Sequence, residues 1–97
     1  MTASRPFNPQ KLKMLTKPKL AALYLEESLQ AGDMEAFKIA LRDVAQAKFG
    51  MAELADKTDL NRESLYRALS KQGNPRLDTL ARILTAMGLQ ISVTVAH

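Results

Sequence analysis

The sequence predicts an all-α domain of five helices followed by one C-terminal β-strand. Three observations carry that reading. Apolar residues recur at helical spacing from Leu20 to Met87. Cap residues and glycines (Gly32, Asp33, Gly50, Asn61, Gly73, Gly88) cut that run into pieces of helical length. Beyond Gly88 the period falls to two. A chain of 97 residues suffices for one domain with a single modest core.

Residues 1–17 read as a basic N-terminal arm without a fixed fold, since Pro6 and Pro9 interrupt it and no periodicity is sustained. Thr16 is the candidate N-cap of the first helix, with Pro18 in its first turn. Leu20, Leu23, Tyr24, Leu25 and Leu29 give that helix a broad apolar face, and Gly32 stops it. Asp33 caps a second helix whose apolar set is Met34, Phe37, Leu41, Val44 and Ala45, with Lys38, Arg42 and Asp43 facing away. Two short helices follow, near Met51–Lys57 and Arg62–Ser70. Asn74-Pro75 opens a fifth, with Leu77, Leu80, Leu84 and Met87 as its buried stripe. The helical domain thus spans 18–88.

In the remaining segment, 89–97, Leu89, Ile91, Val93 and Val95 alternate with polar residues and read as one strand. A lone strand needs a ladder partner for its backbone groups. The two-fold copy of itself in a homodimer is the simplest one, because antiparallel pairing across a two-fold axis is self-complementary. The alternatives are a strand tucked against the helices or a frayed tail.

Composition narrows the function classes. With no Cys, disulfides and thiolate metal sites are excluded. No apolar run approaches the ~18 residues of a membrane span, and no signal-peptide stretch opens the chain, so a cytoplasmic address is expected. The net charge of +4 is unevenly placed. Arg5, Lys11, Lys13, Lys17 and Lys19 give residues 1–19 a charge of +5, and the rest of the chain carries −1. The overall basicity therefore says little about the domain surface. His97 is the lone histidine and has no partner for a metal site. The glycines are isolated, so no phosphate-cradling loop is present. The carboxylate pairs Glu26/Glu27 and Asp56/Asp59 read as solvated surface. No nucleophile–base or metal constellation suggests an enzyme, and no cofactor or small-molecule substrate is expected.

Met51–Ser70 is where the sequence carries function. Two short helices must cross closely there, which requires a buried Leu54, a small Ala55, an inward Leu60, and Leu65, Ala68 and Leu69 along the inner face of the second helix. Thr58-Asp59-Leu60 makes the turn, and Asn61 is a good N-cap. In such a helix-turn-helix the N-terminal residues of the second helix reach base edges in a DNA major groove.

This stretch resembles the helix-turn-helix of lambda-repressor-like, or XRE-type, regulators at Leu54, Ala55, Leu60 and Leu65. It departs from them at Asp59, where that family usually has glycine. A narrower resemblance covers residues 7–95, in AALYLEESLQAGD, DVAQAKFGMAELA and RESLYRALSKQGNPRLDTLARILTAMGLQISV. These segments look like the addiction-module antidote family, the HigA-like antitoxins of type II toxin–antitoxin pairs. The resemblance implies an antitoxin that binds operator DNA, represses its own operon and neutralises a toxin similar to RelE or HigB. The chain departs from the family at Phe7–Lys19, where lysines replace the usual acidic residues.

Arg62 and Arg67 are the first candidates for reading bases, since a guanidinium can donate two parallel bonds to guanine. Ser64 suits a base edge or a phosphate. Glu63 could accept from cytosine, or serve as a helix N-terminal acid that orients an arginine. Lys48, Lys57, Lys71, Asn74 and Arg76 are candidate phosphate contacts on the flanks. Tyr66 is two-sided, contacting a phosphate or a thymine methyl if it faces out and joining the core if it faces in. Two alternatives stand beside the antitoxin reading: a stand-alone XRE-type repressor with no toxin, and a helical adaptor that binds protein and not DNA.

Overall fold

The computed structural model describes residues 9–96; Arg5, Pro6, Phe7 and His97 lie outside the described residues. Six helices follow one another: α1 (Pro9–Leu15), α2 (Pro18–Gln30), α3 (Met34–Lys48), α4 (Gly50–Thr58), α5 (Arg62–Ala68) and α6 (Leu77–Ala86). None is long and apolar enough to cross a membrane.

α3 is the central element, packing against α1, α2 and α4, while α6 closes on α4. Its sequence explains why. Asp33 caps it through Oδ1, which accepts from the amides of Glu35 at 3.0 Å and Ala36 at 3.3 Å. Its inner face then buries Phe37, Ala40, Leu41, Val44 and Ala45, the last three entirely. α2 contributes Ala21 and Leu25, α4 contributes Leu54 and Ala55, and α6 contributes Ile83 and Leu84. Each fully buried leucine or isoleucine stabilises the fold by ~1.5–3 kcal/mol. Gly50 turns the chain from α3 into α4 at φ 84°, a backbone angle that side-chain-bearing residues rarely adopt.

The expected count of five helices is corrected by α1, which occupies much of the arm. Pro9 is the first described residue of this helix, and a proline is tolerated in a first turn because its missing N–H removes no bond there. Leu15 is buried. The Lys11 ammonium lies 4.7 Å from the centre of the Tyr24 ring and 3.9 Å from Asp43 Oδ2, which also accepts a 2.6 Å hydrogen bond from the Tyr24 hydroxyl. A lysine-rich segment is thereby held to α2 and α3. Thr16 closes the helix before it instead of opening the one after it: its hydroxyl donates to the Lys13 carbonyl at 2.6 Å, and Lys17 is the uncapped N-cap residue of α2.

The C-terminal strand is the second correction. Residues 89–96 form no strand, and no sheet exists among the described residues. The alternation is real, yet a strand is made by its partner, and the helices offer no open edge for pairing. Leu89 of the predicted set packs against the core, its amide donating to the Leu84 carbonyl at 2.8 Å. Ile91 is exposed, and Val93 and Val95 are 92% and 85% exposed. Smaller departures occur in the helices. α6 begins at Leu77, two residues after the Asn74-Pro75 signal, and Leu77 points outward with 70% exposure. Met34 is also exposed.

Truncating the centre of this packing should be costly. Leu41→Ala is expected to destabilise the fold by ~2–5 kcal/mol. A urea titration should show this as a lower midpoint with an unchanged slope.

Candidate nucleic-acid interface

The α4–α5 unit is built by local rules. At the end of α4, Thr58 is buried and its hydroxyl donates back to the carbonyls of Leu54 (2.8 Å) and Ala55 (3.1 Å). The chain then turns through Asp59 at φ 61°, ψ 26°, the left-handed conformation and the one positive φ among the described non-glycine residues. Asp adopts it at lower cost than bulky or β-branched residues. The Leu60 amide donates to the Ala55 carbonyl at 3.2 Å, satisfying the end of α4. Two residues later Asn61 Oδ1 accepts from the Ser64 amide at 2.7 Å and starts α5. Leu54, Ala55 and Leu65 are buried and Leu60 is half-buried against the core, as the helix crossing requires.

This fixes one face of α5 inward and leaves the other open. Leu65 and Leu69 are fully shielded, while Arg62, Glu63, Tyr66 and Arg67 are exposed and Ser64 is half-exposed. Tyr66 therefore faces outward, with 51% exposure. Glu63 and Arg67 face each other across one helical turn, Oε1 to Nη2 at 3.5 Å. Both side chains are largely solvated, so the pair is worth only ~0.3–0.5 kcal/mol and is readily exchanged for other partners. Glu63 also stands in the first turn, where a negative charge favours the helix dipole.

Several flanking candidates come together here. A shallow recess beside α5 is lined by Ser64, Arg67, Asn74, Arg76 and Thr79, so two base-reading candidates and two phosphate candidates share one surface. Lys71 is exposed on the turn between α5 and α6. Arg76 holds Asp78 at 3.2 Å. Lys57 is on α4, 3.9 Å from Glu53 Oε2 and 5.6 Å from the centre of the Phe49 ring. Lys48 is engaged elsewhere, its ammonium donating to the Met87 carbonyl at the C-terminal end of α6 at 3.1 Å.

Lys38 contradicts its expected outward placement. It is 4% exposed, and its ammonium donates to the carbonyls of Ser70 (2.6 Å), Lys71 (3.1 Å) and Gly73 (2.7 Å). Helical periodicity gives no warning of this, because the acceptors are backbone atoms more than thirty residues away. The one available signal is its place between Phe37 and Leu41, at the margin of the buried face.

The turn makes a direct test possible. Asp59→Gly should leave stability unchanged or raise it by up to about 1 kcal/mol, because glycine adopts the left-handed conformation without steric cost. Asp59→Val should lower stability by ~1–3 kcal/mol. Thermal melts of the two variants against the natural chain would check both signs.

A family model described as "Probable addiction module antidote protein" matches residues 7–95. An "Uncharacterized protein" of Haemophilus influenzae (strain Rd) is 39% identical over 79 residues, spanning 81% of this chain and 80% of that protein. No solved structure matches.

Proposed function

The chain belongs to the addiction-module antidote family, and from that premise we propose that it is a DNA-binding antitoxin that represses its own operon. An antidote acts against a toxin, and the partner in this reading is a toxin similar to RelE or HigB. The protein works by binding, with neither catalysis nor a cofactor. In this reading it acts in the cytoplasm, where it meets both operator DNA and toxin.

The observation that carries the DNA reading is the exposed face of α5. Arg62, Glu63 and Ser64 form the first turn of a capped helix and Arg67 lies in its last turn, with the opposite side anchored by buried Leu65 and Leu69. In this reading Arg62 and Arg67 reach base edges, with Glu63 orienting Arg67 until DNA takes its place. Lys71, Asn74 and Arg76, with Tyr66 beside them and Lys57 on α4, contact the phosphates that set the register. Two copies on an inverted repeat would present their α5 helices to half-sites about one helical turn, ~34 Å, apart. Two outward arginines on the exposed face of α5 favour DNA over a purely protein-binding adaptor, since such an adaptor has no need of bidentate donors there.

Gel-shift titrations on the chain's own promoter and on unrelated duplex test this. Preference for the promoter is expected, and equal affinities would sink the repressor reading. Arg67→Ala should reduce the preference by ~1–3 kcal/mol. Lys71→Ala should weaken both duplexes alike and make the salt slope shallower by about one. The toxin half is tested separately by co-expression with the product of the neighbouring reading frame. Co-purification and relief of growth arrest are expected; growth arrest that this chain fails to relieve would remove the antitoxin role.

A further inference from the structure

We propose that Lys38 is a positioning residue for α5, setting the angle at which Arg62 and Arg67 are presented. The inference rests on the DNA-binding reading above and assigns a role to a residue outside the binding face.

The geometry is that of a clamp. The Lys38 ammonium has three donors, and three carbonyls of the turn after α5 accept them: Ser70, Lys71 and Gly73. No carboxylate pairs with Lys38 among the described residues. Burying a charge without an anion is costly unless it is fully hydrogen-bonded. An apolar side chain could fill the same space without that cost. What the ammonium alone supplies is three donors at one point, placed where the carbonyl end of a helix favours positive charge.

The turn it holds is rigidly joined to α5. The Ser70 amide donates to the Arg67 carbonyl at 3.2 Å, and the Gly73 amide to the Ser70 carbonyl at 3.1 Å. Gly73 lies so close to the helix end that a β-carbon there would meet the carbonyl oxygens of Arg67 and Ala68. Helix and turn therefore move as one body. The backbones of α3 and α5 do not otherwise approach each other, so Lys38 ties that body directly to the central helix.

A small error in this tie is amplified at the far end. Arg62 stands ~10 Å along the helix axis from Leu69. A tilt of about 6° about that end displaces it by ~1 Å, more than a well-formed hydrogen bond tolerates. The same clamp fixes the Lys71 carbonyl while leaving the Lys71 side chain exposed toward phosphate.

The test compares two duplexes by fluorescence anisotropy: one enriched by the natural chain from a randomised library, and one unrelated. Lys38→Met is expected to cut the ratio of the two affinities by at least about tenfold, the size of one lost bidentate contact. Affinity for the unrelated duplex should stay within about threefold, because the phosphate-facing charges are kept. Lys38→Arg keeps the charge but cannot converge three donors on one point, and its ratio is expected to fall by at least about threefold. Melting temperature is recorded alongside, since a merely structural role would lower it and leave the ratio alone. A ratio unchanged in both variants overturns the inference while the DNA reading stands. A ratio of one for the natural chain overturns both. Should Lys38→Met fail to fold by circular dichroism, Lys38→Arg decides by the same ratio.

Discussion

The rest of the molecule depends on the sealed face of α3. Leu41, Val44 and Ala45 are wholly shielded on that helix, and α1, α2 and α4 pack against it. Small and large side chains alternate there, Ala40 beside Leu41 and Ala45 beside Val44, which lets neighbouring helices approach closely. A chain this short has little apolar surface to spare. Concentrating it on one helix leaves the surfaces of the surrounding helices free for charge, and the exposed side of α5 is one of them.

Within that frame the candidate interface is held by backbone chemistry more than by bulk. The Asn61 side chain starts α5, the left-handed Asp59 aims it, Leu65 and Leu69 anchor its inner side, and Lys38 fastens the turn that ends it. Each device acts on a different part of a helix of only 7 residues. Such a helix would not form alone, since isolated helices under ~12–15 residues are marginal in water. Its orientation is thus inherited from the core, and pre-organisation of that kind lowers the cost of ordering on binding.

Much of this was legible in the sequence because it is local. Asp33 and Asn61 sit one residue before their helices and cap them; Leu54, Ala55 and Leu65 carry the spacing of a helix crossing; Asp59 is a residue that tolerates the turn. What could not be read is what depends on distant partners. Lys38 has the side chain of a surface residue, and only the folded turn supplies its acceptors. α1 shows no sustained periodicity between the prolines, because the Tyr24 and Asp43 groups that hold Lys11 are on other helices. Thr16 stands between two helices, and composition does not say which one it serves. The tail from Leu89 to Val95 has the pattern of a strand, but no strand lies beside it among the described residues. For the interface itself, the outward set on α5 followed from periodicity, whereas the shared recess of Ser64, Arg67, Asn74 and Arg76 needed the chain to fold back at Gly73.

The left-handed turn at Asp59 also bears on how this protein can drift under mutation. The residues that accept φ 61° most readily are glycine, asparagine and aspartate. In the genetic code the aspartate codons stand one transition from those of glycine and one from those of asparagine. The joint between the two helices can therefore change its residue by the commonest kind of nucleotide substitution without passing through a strained intermediate. Related chains are free to differ here in sequence while the angle between α4 and α5 is inherited unchanged.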